Sequence, residues 1–224
     1  MAGLGLALPL TSGSPLLRVV AISVGQGDAT LVSLGKSQHY LIDGGGLPRS
    51  SFDPGERLVA PALGRLSVRR LNGVFLSHAH PDHQDGLRYI LDNFPVDRFF
   101  CGLTLEEVDP ELRDILLRRS IPFETLDQGW NQLDTGVEAS LKVYVPEQNH
   151  RDINERSLAV YAGLGEEGAL LTGDMGPDSL RQLCSAGLPG PCSLLKLPHH
   201  GSRLSLPAVY LPRIGPRIAL VSSG

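Results

Sequence analysis

Leu71-Asn-Gly-Val-Phe-Leu-Ser-His-Ala-His-Pro-Asp-His83 is an apolar run that ends in a cluster of metal-ligating side chains. Val74 to Ser77 has the composition of a short buried strand. Residues just past such a strand leave the sheet in a tight turn. There His78 and His80 are placed to face one metal, while Asp82 and His83, opening the next helix, face a second. Imidazole and carboxylate suit Zn²⁺, Mn²⁺ or Fe, and a catalytic site needs several of them converging around a position left open for water. A solvated surface cluster would account for one or two histidines among polar neighbours, not for four ligand-type residues in six positions after a strand.

Two downstream segments repeat the pattern. Gly168-Ala-Leu-Leu-Thr-Gly-Asp174 is a short apolar strand ending in a carboxylate placed to bridge two cations, and Leu194-Leu-Lys-Leu-Pro-His-His-Gly-Ser202 is an apolar run ending in a ligand-bearing turn. Either alone reads as a plain turn. Together they put potential ligands at the ends of three strands, as expected when loops along one sheet edge build an active site.

These motifs, with Leu41-Ile-Asp-Gly-Gly45 upstream, resemble the metallo-β-lactamase fold superfamily. More narrowly, Val24-Gly-Gln-Gly-Asp28, Asn154-Glu-Arg-Ser-Leu-Ala-Val160 and Leu195-Lys-Leu-Pro-His-His-Gly-Ser202 resemble the β-lactamase-like domain of ComEC, the DNA-uptake channel protein of naturally competent bacteria. The likeness spans residues 18 to 222. It implies two divalent metal ions, Mn or Zn, held by His78, His80, Asp82, His83, Asp174 and one of His199 and His200; alignment with the superfamily's Pro-Gly-His-Gly favours His200. Asp174 would bridge the ions, and Asp82 would bind one and orient the nucleophile.

The chain also departs from the pattern. Ser23 stands where ComEC proteins commonly carry Asp, and His80 where they often carry Asp. The superfamily's middle histidine falls in Asp152-Ile-Asn-Glu-Arg-Ser157, which has none, so Asn154 is a weak substitute and the lone alternative, His150, reads as a loop residue.

Around the ligands, Asp43 reads as a buried carboxylate that orients a ligand histidine through its second nitrogen. Asp28 is placed to face the site. Gly25 and Gly27 suit a tight turn at positive φ. Ser202 and Ser205 fall where a helix is expected to start, a natural phosphate site, with capping as the plainer role. Lys196 either reaches a substrate phosphate or is a solvated strand lysine.

Read coarsely, strands cover 16–24, 28–34, 38–42, 96–101, 138–145, 157–162, 169–171, 194–197 and 218–222. Helices cover 54–66, 85–94, 105–119, 177–184 and 206–213. Two sheet-forming halves with outer helices match an α/β fold, a four-layer αββα sandwich. Of the 224 residues, 16–224 form the hydrolase domain and 1–15 a linker or the end of a preceding segment; the abrupt ends suggest a domain excised from a larger membrane protein.

No stretch of roughly 18 apolar residues is present, so no membrane span lies within the chain. Net charge is −4, which argues against a generically basic nucleic-acid binder, although bound cations supply their own positive charge for phosphate. Arg65, Arg69, Arg70, Arg118 and Arg119 read as solvated faces. Cys101 reads as a buried thiol, while Cys184 and Cys192 flank a Gly/Pro-rich loop and are a candidate disulfide in an oxidising setting.

The leading expectation is a metal-dependent nuclease acting on single-stranded DNA, which degrades the nontransported strand during uptake. It would be a soluble domain on the external face of a bacterial cytoplasmic membrane, joined to the channel part of the same parent. The alternatives are a free-standing hydrolase of a small ester or phosphodiester and a non-catalytic domain that guides DNA.

Overall fold

The computed structural model of the protein describes residues 7–9, 17–25, 27–47, 51–207 and 209–222. Among these, strands β1 (Ala7–Pro9), β2 (Leu17–Ala21), β3 (Thr30–Leu34), β4 (Gln38–Ile42), β5 (Gly73–Phe75), β6 (Phe99–Cys101) and β7 (Phe123–Thr125) form one sheet in that order. The second sheet runs β13 (Ile218–Leu220), β12 (Leu194–Lys196), β11 (Glu167–Leu171), β10 (Ala159–Leu164), β9 (Ser140–Val145) and β8 (Gly129–Leu133). The helices are α1 (Ala60–Arg65), led by a π-turn at Gly55–Val59, then α2 (Pro81–Asn93), α3 (Pro110–Arg118), α4 (Pro177–Ala186) and α5 (Tyr210–Ile214).

Adjacent residues of one strand point to opposite faces, and this alternation divides the apolar residues into three cores. Val20, Leu31, Leu41, Val74 and Phe99 face outward onto Leu63 of α1, Leu87 and Ile90 of α2 and Leu112 of α3. Their neighbours Val19, Val32, Ile42, Phe75 and Phe100 face inward onto Val143, Val160, Leu171 and Leu194 of the second sheet. On the far side Leu170 and Leu195 pack on Leu180, Leu183 and Tyr210. Helix, sheet, sheet, helix is therefore the layering, an αββα sandwich as expected.

Strands β4 to β7 pair in parallel, as do β11 to β13. Parallel strands joined by crossover helices all end on the same edge of their sheet, which is where ligand-bearing loops collect.

Several boundaries differ from the sequence reading. Residues 7–9, expected as linker, pair antiparallel with β2; the rest of residues 1–15 lies outside the described residues. The third helix starts at Pro110 rather than 105, because the Asp109 carboxylate accepts from the N–H groups of Glu111 and Leu112 and proline takes the first helical position. The helix expected over 206–213 spans only Tyr210–Ile214. Edge strands β7 and β8 were not anticipated; Phe-Glu-Thr and Gly-Trp-Asn-Gln-Leu are short, half-exposed and lack an apolar alternation. Cys184 and Cys192 are buried free thiols, not a disulfide. No helix among the described residues is long and apolar enough to cross a membrane.

Candidate metal centre

The turn after β5 enters α2 at Pro81, which puts Asp82 and His83 in its first turn. Close packing against this turn is made possible by glycines. A Cβ on Gly27 would lie 2.0 Å from the Asp82 carbonyl oxygen, and one on Gly46 would lie 1.7 Å from that of Pro81. Gly25 and Gly27 take φ of +80° and +98°, the conformation expected of a tight turn at these positions.

Four side chains from three loops meet here. Asp82, His83, Asp174 and His200 each offer one donor atom, all within 4.8 Å of one another. His83 Nε2 lies 3.8 Å from Asp82 Oδ2 and 3.4 Å from Asp174 Oδ1. His200 Nε2 lies 3.8 Å from Asp82 Oδ2 and 3.5 Å from Asp174 Oδ2. Donors bound to one zinc at about 2.1 Å in a tetrahedral shell are separated by about 3.4 Å. The set therefore fits a single divalent cation. A second observation agrees: His83 Nε2 and Asp174 Oδ1 are both buried without a hydrogen-bond partner, a costly state for two polar atoms that face each other unless a cation satisfies both.

The supporting contacts aim these donors. Asp43 Oδ2 lies 2.8 Å from His83 Nδ1, so the ring proton belongs on Nδ1 and the Nε2 lone pair faces the cluster. Asp43 is held in turn by Ser77, whose N–H and hydroxyl both donate to it at 2.8 and 2.7 Å. His200 Nδ1 donates to the Ser222 carbonyl oxygen at 3.0 Å, freeing its Nε2. His199 turns away, its Nδ1 3.0 Å or less from a hydroxyl, at 2.8 Å from Ser205 Oγ. Of the two adjacent histidines it is thus His200 that joins the cluster. Asp43, His199 and His200 all have positive φ (60°, 48° and 53°), uncommon for residues with a Cβ and concentrated at functional sites.

Electrostatics follow from the crowding. Burial opposes charge on Asp174, yet the neighbouring His200 and His83 rings hold its carboxyl well below the usual range. The neighbouring carboxylates of Asp174 and then Asp82 push His200 up to about 10. Burial resists protonation of His83, but Asp43 and Asp174 outweigh it and raise the imidazole well above its ordinary value. His78 moves the other way, held neutral by burial and by the neighbouring His83.

His78 and His80 stand beside this set rather than within it. His78 Nε2 and His80 Nδ1 are 3.0 Å apart, and the His78 ring centroid is 4.2 Å from that of His83. Neither joins the four-donor group around Asp174. Asn154, at the position of the missing histidine, opens a one-turn 3₁₀ helix and leaves its Oδ1 buried without a hydrogen-bond partner. His150 sits on the α4 side, with Nε2 3.6 Å from Asp178, and is no member of the cluster.

Two expected phosphate contacts are placed otherwise. Lys196 is buried, and its ammonium is bound to the Asp28 carboxylate; a strand residue whose charge is already matched in the interior is not free for substrate. Asp28 faces the site as expected, with Oδ1 3.9 Å from His200 Nδ1, though it reaches the centre only past that ring. Asp28, Asp43 and His83 also cluster, but the Lys196 ammonium holds Asp28 Oδ2 and Asp43 holds His83 Nδ1, which leaves Asp28 Oδ1 as the unpartnered atom of that group. No helix starts at Ser202 or Ser205; both lie in turns, Ser202 donating its N–H to the His199 carbonyl oxygen.

Sequence reasoning missed Ser77, Ser157 and Glu155. Ser157 Oγ accepts from the Asp174 N–H at 3.2 Å. Buried Glu155 accepts from the N–H groups of Asp178 and Ser179 and so caps α4 from a distant loop. Only Ser77 carried a signal, its adjacency to His78; the others act across gaps of 17 and more residues.

Comparison with known proteins places this geometry. The metallo-beta-lactamase superfamily profile matches residues 22–224. The chain belongs to this superfamily. Within it, the chain is 25% identical over 219 residues to ComE operon protein 3 of Bacillus subtilis, covering 91% of this chain and 28% of that protein. It is 28% identical over 209 residues to competence protein ComA of Neisseria gonorrhoeae, covering 92% of this chain and 27% of that protein. The chain therefore spans about a quarter of the length of these relatives. Among solved structures, the CmlA beta-hydroxylase E377D mutant superposes with a TM-score of 0.60 at 16% identity, over 96% of this chain and 47% of that one, which shows a shared fold and says nothing of substrate.

Proposed function

We propose that the protein is a metal-dependent nuclease that hydrolyses phosphodiester bonds of single-stranded DNA, and that it degrades the nontransported strand during DNA uptake. The observation that carries the hydrolytic part is the four-donor cluster with two orphaned buried atoms, open to solvent at Asp82, whose side chain is 27% exposed. The DNA part is supported by the relatives named for competence and by the ComEC motifs. In this reading the chain is the hydrolase domain of a longer protein whose channel part lies in the membrane, and it works on the external face.

Asp82, His83, Asp174 and His200 would hold one divalent cation; His78 and His80, with Asp174 shared, would hold a second, Mn or Zn. Such ions acidify a bound water and offset charge on the attacking and leaving oxygens. The chain's own groups do the rest. Asp43 fixes the His83 tautomer, and Ser222 that of His200, so neither ring has to reorient during turnover. Asp82, the most accessible carboxylate of the set, orients the attacking water. Lys196 neutralises Asp28 and keeps a third negative charge from opposing an incoming phosphate.

The test is cleavage of end-labelled single-stranded DNA by EDTA-stripped protein, with Mn²⁺, Zn²⁺ or Mg²⁺ restored separately and Asp82→Ala in parallel. Cleavage that returns with one ion and is lost in the variant is expected. Protein that binds metal and leaves DNA intact would overturn the proposal and favour a small ester or phosphodiester as substrate.

A further inference from the structure

A cavity of about 300 Å³ opens directly beside the metal turn. One wall is the turn itself, Ser77 to Ala79; the others come from the loop after β6 and the loop between β9 and β10. None of its lining residues except His78 belongs to the donor sets described above. A group seated in it is therefore next to whatever reacts at the centre.

The chemistry of the lining selects among ligands. The floor is aliphatic, made by Leu76, Leu103 and Ala79, and Ile153, 36% exposed, stands at the rim. Besides Ser77 and His78, three polar side chains complete it. Glu107 is held ionised, chiefly by the Thr104 N–H and hydroxyl that it accepts from. Arg156 donates through Nε to the His150 carbonyl oxygen. Gln148 uses its amide N–H₂ on the carbonyls of Pro146 and Arg156, which leaves its Oε1 as an acceptor, and the side chain lies so close to Gly102 that a Cβ there would meet Oε1 at 3.2 Å.

A second phosphate is a poor fit: one carboxylate faces one guanidinium, so the net charge of the lining is near zero, and the floor offers no hydrogen bond. A neutral planar group with N–H donors on its edge and an apolar face fits well. The volume is at the lower limit of small-ligand clefts, so it takes one ring system and excludes a base pair. Clefts that seat a single unstacked base use this combination of apolar faces and edge hydrogen bonds.

Resting on the nuclease reading above, we infer that this cavity is a nucleobase pocket that receives one unpaired base next to the scissile phosphate. It makes the enzyme a reader of single strands, because a base paired in a duplex cannot enter. Its lining has no Phe, Tyr or Trp, so the base is held mainly by shape and by its edge.

The test compares a single-stranded oligodeoxynucleotide with the same backbone built from base-free tetrahydrofuran units, each cleaved by the Mn²⁺-loaded protein and by Ile153→Trp, which fills the mouth of the cavity from an exposed position. The natural strand is expected to show a KM at least about tenfold below that of the base-free strand with kcat little changed. Ile153→Trp is expected to raise KM on the natural strand about tenfold and to leave the base-free strand unaffected. Equal KM values for the two strands in the native protein would overturn the pocket while leaving the nuclease standing, and that comparison decides the matter even if the variant does not fold. A variant that weakens both strands equally would also overturn it. If neither strand is cut while bis(p-nitrophenyl) phosphate is hydrolysed in an Asp82-dependent way, the nuclease reading falls and the pocket assignment falls with it.

Discussion

Asp43 Oδ2 lies 2.8 Å from His83 Nδ1, and both side chains are buried, at 1% and 0% exposure. The carboxylate comes from the end of one parallel strand and the imidazole from the first turn of the helix after the next, so the contact ties the loop after β4 to the helix that carries two of the cation donors. Asp43 adopts φ +60°, a conformation that asparagine tolerates. Asp43→Asn therefore keeps the backbone but loses the anion that fixes the His83 tautomer. The expected outcome is a loss of metal affinity of about 10- to 100-fold with an unchanged far-UV circular dichroism spectrum, measured by competition with a chromophoric chelator.

The Asp28–Lys196 pair joins the two sheets across 168 residues of sequence, at 3% side-chain exposure for each partner. Removing one partner leaves a buried charge unmatched. Lys196→Met is expected to cost about 3–5 kcal/mol in urea unfolding, whereas Asp28→Asn combined with Lys196→Met recovers most of it. Additive losses in the double variant would show that the pair is not energetically coupled.

Gly46 faces the start of α2, where a Cβ would lie 1.7 Å from the Pro81 carbonyl oxygen. No rotamer relieves a clash with backbone. Gly46→Ala is expected either to abolish soluble expression or to displace the turn carrying Asp82 and His83, read as at least tenfold weaker metal binding. Gly64→Ala, which meets nothing within 4 Å and lies in α1, is the control and should bind metal normally.

Alkaline pH should destabilise the fold through its thiols. Burial pushes Cys101 up to about 12 and Cys192 up to about 11, from an ordinary value of 9.0. Above pH 9 the unfolded chain releases these protons while the native chain keeps them, so the unfolded state binds fewer protons and stability falls as pH rises. The expected slope is on the order of 1 kcal/mol per pH unit for each thiol between pH 9 and 11, seen in urea midpoints and reduced in Cys101→Ala. In the native protein at pH 8 all three cysteines should resist alkylation, and the mass should be unchanged by reductant.

Much of the centre was legible because it is local. His78, His80, Asp82 and His83 are crowded into one turn, and the strands leading to Asp174 and His200 are short apolar runs, so residue type, spacing and the resemblance they carry were enough to name the fold, the donors and the role of Asp43 as an expectation. What a linear reading does not contain is which distant groups share a site. The choice of His200 over His199 depends on two consecutive residues at positive φ, which send one ring to Ser205 and the other to Asp174.

The same limit explains the errors. Lys196 read as a phosphate contact because nothing near it in sequence matches its charge; Asp28 does so only once the two sheets have closed on each other. Glu155 and Ser157 gained their roles, capping α4 and holding Asp174, by the same closure. Hydrophobic periodicity and ligand spacing are short-range properties of the chain, and with the family resemblance they carry they determined the layered α/β sandwich and the metal-binding character of its edge. Burial, which decides whether a charge is spent on a neighbour or left for a ligand, belongs to the tertiary structure, and it alone assigned Lys196 to Asp28 and an apolar cavity to the flank of His78.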